Sequence, residues 1–78
     1  MDLKDVLSTN LRRIRNETGR TQEEMAHLLG ISARYLGSIE RGKVSPSVTL
    51  LGMFADALAV NAGELIAVST PRGKRGRD

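Results

Sequence analysis

Four residues, Leu29-Gly30-Ile31-Ser32, constrain this chain more than any other stretch, because they separate two segments with complete helix-start and helix-stop signals. Thr21-Gln22-Glu23-Glu24 is a capping box: the threonine hydroxyl is placed to accept from the third helical amide, and the glutamate to accept from the threonine's own N–H. The helix it starts runs to about Leu28. Gly30 supplies the positive φ of a tight exit, and Ser32 is a ready N-cap for the next helix. Ile31 before that cap pairs with Leu36 as a hydrophobic staple. The second helix then runs to Arg41, where Gly42 stops it. So short a connection admits only a sharp turn at a large crossing angle. The backbones approach closely at such a crossing, and Ala26, four residues before Gly30, is small enough to permit it.

The rest of the chain supplies partners for that pair. Leu3, Leu7, Leu11 and Ile14 recur at three- and four-residue steps, one face of a helix from about residue 3 to 16, ended by Gly19. Ser45-Pro46 reads as an N-cap followed by proline at the first helical position. Val48, Leu51, Ala55 and Leu58 carry that fourth helix to about Ala59. Asn61-Ala62-Gly63-Glu64 reads as another capping box and Val60 with Leu65 as another staple, predicting a short fifth helix over about 62–68. No period-2 alternation and no internal repeat is visible. The expected fold is all-α, with five helices in residues 1–68. Residues 69–78 contain no apolar side chain and read as a disordered basic tail.

Charge narrows the function only after it is placed. The net charge is +3, yet residues 1–68 hold equal numbers of acidic and basic side chains. The whole excess lies in the tail, at Arg72, Lys74, Arg75 and Arg77 against Asp78. Within the folded part what stands out is clustering: four arginines fall between residues 12 and 20, and Arg34, Arg41 and Lys43 follow close together. Arg12, Arg13 and Arg20 individually read as a solvated face. The absence of cysteine removes disulfides and thiolate metal sites, and His27 has no second histidine to complete a metal set. Ser32 and Ser38 lack a histidine base on their own helix, so no hydrolase constellation forms. Gly73-Lys74-Arg75-Gly76 has neither the strand nor the helix of a phosphate loop. No apolar run approaches the roughly 18–20 residues that span a membrane, and the acidic start lacks a secretory n-region. These features point to a cytoplasmic protein without catalysis, metal or cofactor.

The third helix carries the most specific pattern. At about 100° per residue, Tyr35, Leu36 and Ile39 share one side and face the core. Ala33, Arg34, Gly37, Ser38 and Arg41 fall on the other, a surface that is small and basic and has no acid. Such a face fits a DNA major groove. Arg34 offers a two-donor fork to guanine O6 and N7, Ala33 can meet a thymine methyl, and Ser38 can bond to several base edges. Gly37 has no merit as a helix former, and reads either as slack or as clearance for close approach.

The string from Thr21 to Lys43, with capping box, Ala26, Gly30, Ser32 and the closing Ile39-Glu40-Arg41-Gly42 at their offsets, closely resembles the lambda-repressor-like, Cro and phage-repressor family of helix-turn-helix transcriptional regulators. With Pro46 to Leu65 also in register, the resemblance covers about residues 3–68, and the length is similar to the controller proteins of restriction-modification systems. The resemblance implies that Ala33, Arg34, Gly37 and Ser38 occupy base-facing positions. It implies that Gln22 contacts a phosphate from its helix N-terminus, as do Arg41 and Lys43, and that Arg15 pairs with Glu40. The chain departs from glutamine-rich phage repressors, since Arg34 is its one strong bidentate reader. Shape readout and symmetry then have to supply part of the specificity.

Phe54, Leu58, Leu65, Ile66 and Val68 offer more apolar surface than one small core needs, which reads either as ordinary packing or as a dimer seam. The resemblance places the dimer contact in the C-terminal helices as well. A core of this size supplies only about 3–5 kcal/mol, so dimerisation would add needed stability. A two-fold pair would set two reading helices about 34 Å apart on a pseudo-palindromic operator. Occluding a promoter would repress, and touching RNA polymerase beside it would activate. The alternative is an antitoxin-like interaction module that binds a protein partner and autoregulates its operon.

Overall fold

The computed structural model describes residues 2–68, and all regular structure among them is helical. The helices are α1 (Leu3–Thr18), α2 (Gln22–Leu29), α3 (Ala33–Glu40), α4 (Val48–Leu58) and α5 (Ala62–Leu65). Ser69 to Asp78, expected as a disordered basic tail, lie outside the described residues.

The local signals that start and stop these helices act largely as their residue types require. Asp2 caps α1, accepting from the Lys4 N–H at 3.1 Å and from Lys4 Nζ at 2.7 Å. The side-chain bond to Lys4 holds the Asp2 carboxyl below its ordinary range. Gly19 ends α1 in the left-handed region at φ 72°. Thr21 and Glu24 form the reciprocal capping box of α2, at 3.1 and 2.8 Å. Gly30 exits α2 at φ 75°, with the Ile31 N–H donating to the Ala26 carbonyl at 3.0 Å. Ser32 then caps α3 by accepting from the Tyr35 N–H at 3.0 Å.

Two boundaries in the C-terminal half differ from the sequence expectation. The N-cap of α4 is Ser47, whose hydroxyl accepts from the Leu50 N–H at 3.0 Å, and neither Ser45 nor Pro46 belongs to the helix. The connection from α3 has to cross the first turn of α1, and Pro46 is spent on that crossing, lining a groove with Leu3, Leu7, Leu51 and Ile66. Val48, expected on the inner stripe, stands 86% exposed at the start of the helix. The second difference is that α5 stops at Leu65, three residues early. The Asn10 amide explains this, since its Nδ2 donates to the carbonyls of Glu64, Leu65 and Ala67 at 3.3, 2.8 and 3.0 Å. Carbonyls held by a side chain have a partner without a further helical turn. Asn61 caps α5 by accepting from the Gly63 N–H at 2.9 Å, one position earlier than a capping box requires.

Leu7 and Leu11 of α1, Met25 and Leu29 of α2, Leu36 and Ile39 of α3, Phe54 and Ala55 of α4 and Leu65 of α5 form one buried core. α3 lies against both α1 and α2, α4 against α2 and α5, and α5 against α1. Ala26, expected at the α2–α3 crossing, is 2% exposed in the core. Among the described residues no helix is long and apolar enough to cross a membrane.

Candidate nucleic-acid interface

The inner face of α3 fixes its outer face. Leu36 and Ile39 are fully buried and Tyr35 is half-buried against the core, which leaves Ala33, Arg34, Ser38 and Arg41 toward solvent or its edge. Arg34 and Arg41 are exposed, and Ala33 and Ser38 are half-buried. Lys43 follows on the exit loop and is exposed. Among the described residues none of these three cations is in an ion pair, so their charges are available to an anion.

Glu40, the only acid of α3, is turned inward and is 4% exposed. Its carboxylate accepts from Arg15 Nε at 2.8 Å and Nη2 at 3.2 Å, and from Gln22 Nε2 at 3.0 Å. Its backbone carbonyl accepts from Ser8 Oγ at 2.5 Å and from Arg12 Nη1 at 3.0 Å. One residue thus ties the C-terminal end of α3 to α1 and α2. A buried carboxylate is tolerated only with such partners. The two-donor contact from Arg15 also neutralises a charge that would otherwise repel a phosphate arriving at this face. Arg15 is held in turn by a 3.3 Å bond from Nη1 to the Arg20 carbonyl.

This hub contains the Arg15–Glu40 pair that the resemblance implies, together with three members the sequence did not reveal. Gln22 is half-buried at the first position of α2 and reaches Glu40. A carboxylate only accepts, so the amide must turn its nitrogen to Glu40, leaving a second N–H free to donate. Arg12, expected on a solvated face, caps a terminal carbonyl of α3, where a cation is favoured. Ser8 is buried inside α1 and does the same. Gly37 lies on the outer side of α3 yet is buried, because the side chains of Gln22 and Arg41 cover it. His27 is exposed on α2, away from this hub.

The apolar residues singled out for a seam divide. Phe54 and Leu65 are fully buried in the chain's own core, so a partner cannot touch them directly. Leu58 and Ile66 are half-buried, and Val68 is 53% exposed. Met53, on the outer side of α4, adds a further exposed apolar side chain.

Residues 11–65 match the helix-turn-helix family. A helix-turn-helix-type transcriptional regulator from Sinorhizobium fredii, y4dJ, is 42% identical over 96% of this chain and 100% of its own length. The control protein C.SmaI of Serratia marcescens is 30% identical over 97% of this chain and 90% of its own. In three dimensions the chain is similar to the restriction-modification controller protein C.AhdI from Aeromonas hydrophila, with a TM-score of 0.73, 32% identity, and coverage of 80% of this chain and 94% of that one.

Proposed function

Because this chain belongs to the helix-turn-helix family of DNA-binding transcriptional regulators, we propose that it acts as a homodimer on a pseudo-palindromic operator in double-stranded DNA. One observation carries the reading. The outer face of α3 presents Arg34 with no acid beside it on the helix, while the single acid of that helix is neutralised underneath. Arg34 reads a guanine through O6 and N7, Ala33 meets a thymine methyl, and Ser38 bonds to an adjacent edge. Gln22, Arg41 and Lys43 hold backbone phosphates, which fixes register without reading sequence. Gly37 brings no side chain to a base edge.

Leu58, Ile66 and Val68 form the seam with Met53 beside them, and Phe54 and Leu65 support it from within. Two-fold symmetry about that seam doubles a half-site that one arginine alone specifies weakly. The reading requires no catalytic group, metal or cofactor, and it places the protein in the cytoplasm with the DNA it regulates. An operator overlapping a promoter gives repression, and one beside it allows contact with RNA polymerase.

Selection of bound duplexes from a randomised library at about 150 mM salt tests this, because phosphate-only binding is weak there. Enrichment of a two-fold-symmetric site, with sedimentation at twice the chain mass, is the expected result. Binding confined to low salt, or a monomer at every concentration, would overturn it. A co-purifying protein of fixed stoichiometry would move the reading to the antitoxin-like alternative.

A further inference from the structure

Gly37 is the one residue on the outer side of α3 for which the helix offers no reason. Glycine inside a helix is less favourable than alanine, and only Gly19, Gly30 and Gly42 among the described glycines have positive φ, so no backbone need is met at position 37. What a missing β-carbon leaves is space, and here the space is filled. A β-carbon on Gly37 would stand 3.1 Å from Arg41 Nη1 and 3.6 Å from both polar atoms of the Gln22 amide. Arg41 lies one turn further along the same side of the chain, and long side chains at helix positions lean back over the preceding turn. Gln22 arrives from the first residue of α2, fastened by its bond to Glu40, which Arg15 fastens in turn. Two side chains from different helices, both hydrogen-bond donors, therefore converge over one glycine.

We propose that Gly37 is a positioning residue for phosphate binding: with no β-carbon there, the Arg41 guanidinium lies along α3 beside the Gln22 amide, and the two donors form one cradle for a single DNA phosphate. The inference rests on the operator-binding reading and states which of its atoms act together. A methyl group at position 37 meets only the far end of a flexible arginine and the amide of a glutamine. The backbone has no cause to move, so the arginine tip gives by a few tenths of an ångström and leaves its seat beside the Gln22 amide. The signature is a pair of opposite effects, since alanine is the better helix former and yet the poorer seat.

The test is a set of salt-dependent titrations of wild type, Gly37→Ala, Arg41→Ala and the double variant. The probes are the library-selected duplex and a scrambled duplex of equal length. Gly37→Ala is expected to lose about tenfold in affinity per bound protomer on both duplexes, as one charge-assisted contact would. Its salt slope should fall by up to about one per protomer, its Tm should hold or rise, and it should lose nothing further in the Arg41→Ala background. A changed base preference would make Gly37 a clearance for a base edge and overturn the cradle. So would unchanged affinity, a lowered Tm, or losses that add independently to those of Arg41→Ala. Wild-type protein that binds neither duplex at about 150 mM salt sinks the operator reading and the cradle together, whereas specific binding with additive losses sinks the cradle alone.

Discussion

The α2–α3 half of the molecule and the α4–α5 half are built on different terms. In the first, the end of α3 is held by a charged and hydrogen-bonded hub in which Glu40 alone gathers Ser8, Arg12, Arg15 and Gln22. In the second, the helices are held by apolar packing of Phe54, Ala55 and Leu65 and by one buried amide, and Val48, Met53 and Val68 are left exposed. Directional bonds fix an angle, whereas apolar contact fixes little beyond area. α3 therefore has its orientation set within one chain, while the C-terminal half keeps exposed apolar side chains, where the proposed second copy would sit.

Glu40→Ala should be the most damaging way to break this contrast. It leaves Arg15 and Gln22 without their acceptor in a largely buried site, and a loss of about 3–5 kcal/mol is expected in urea unfolding. A loss below about 1 kcal/mol would show that the carboxylate bonds to Arg15 and Gln22 do not hold the first half together. Asn10→Ala probes the other half and is expected to cost about 2 kcal/mol, since three carbonyls lose their donor and a small cavity opens. Hydrogen exchange should show the loosening concentrated over residues 62–68, and uniform loosening would contradict a local tether.

Arg34→Ala acts on the outer face of α3 and removes no ion pair of the hub. It should leave unfolding unchanged, cost about 1–3 kcal/mol for each half-site of the selected duplex and relax preference at one base pair in each. Equal losses on every sequence would make Arg34 a phosphate contact. The smallest expected effect is at Ala59, the C-cap of α4, which sits at φ 57° where a side chain is strained. Ala59→Gly should stabilise by about 0.5 kcal/mol, read as a small rise in Tm, because relief of strain is partly offset by glycine's unfolded-state entropy. A fall in Tm would show that the cap needs the methyl group.

What the sequence displayed and what it hid follow the range of the interactions. Thr21 with Glu24, Gly30 and Ser32 act on amides within four residues of themselves, so the turn between α2 and α3 was legible from local residue types. Asn10 bonds to carbonyls more than fifty positions away, and only its place in the arc of Leu7 and Leu11 signals that a polar group is buried there. Gln22 and Glu40 were each singled out separately, but their contact depends on how α2 crosses α3, which no spacing encodes. Ser45 and Ser47 are equally good caps by type, and local residue type alone does not choose Ser47. Arg34 rests on one helix's periodicity and was the easiest residue to place on a surface, whereas Gly37 on the same side is buried, because its cover comes from Gln22 on another helix.

The carbonyl end of α3 has a consequence for how a site is chosen. With its last residue bolted to two neighbouring helices, α3 has little freedom to roll or slide to suit an imperfect groove. On the proposed operator, adjustment would then fall on the duplex, which would bend or twist to meet a rigid pair of helices, and stiff steps resist more than flexible ones. Base pairs the protein never touches would thereby enter the selection, and the mechanical compliance of the operator would become part of its address.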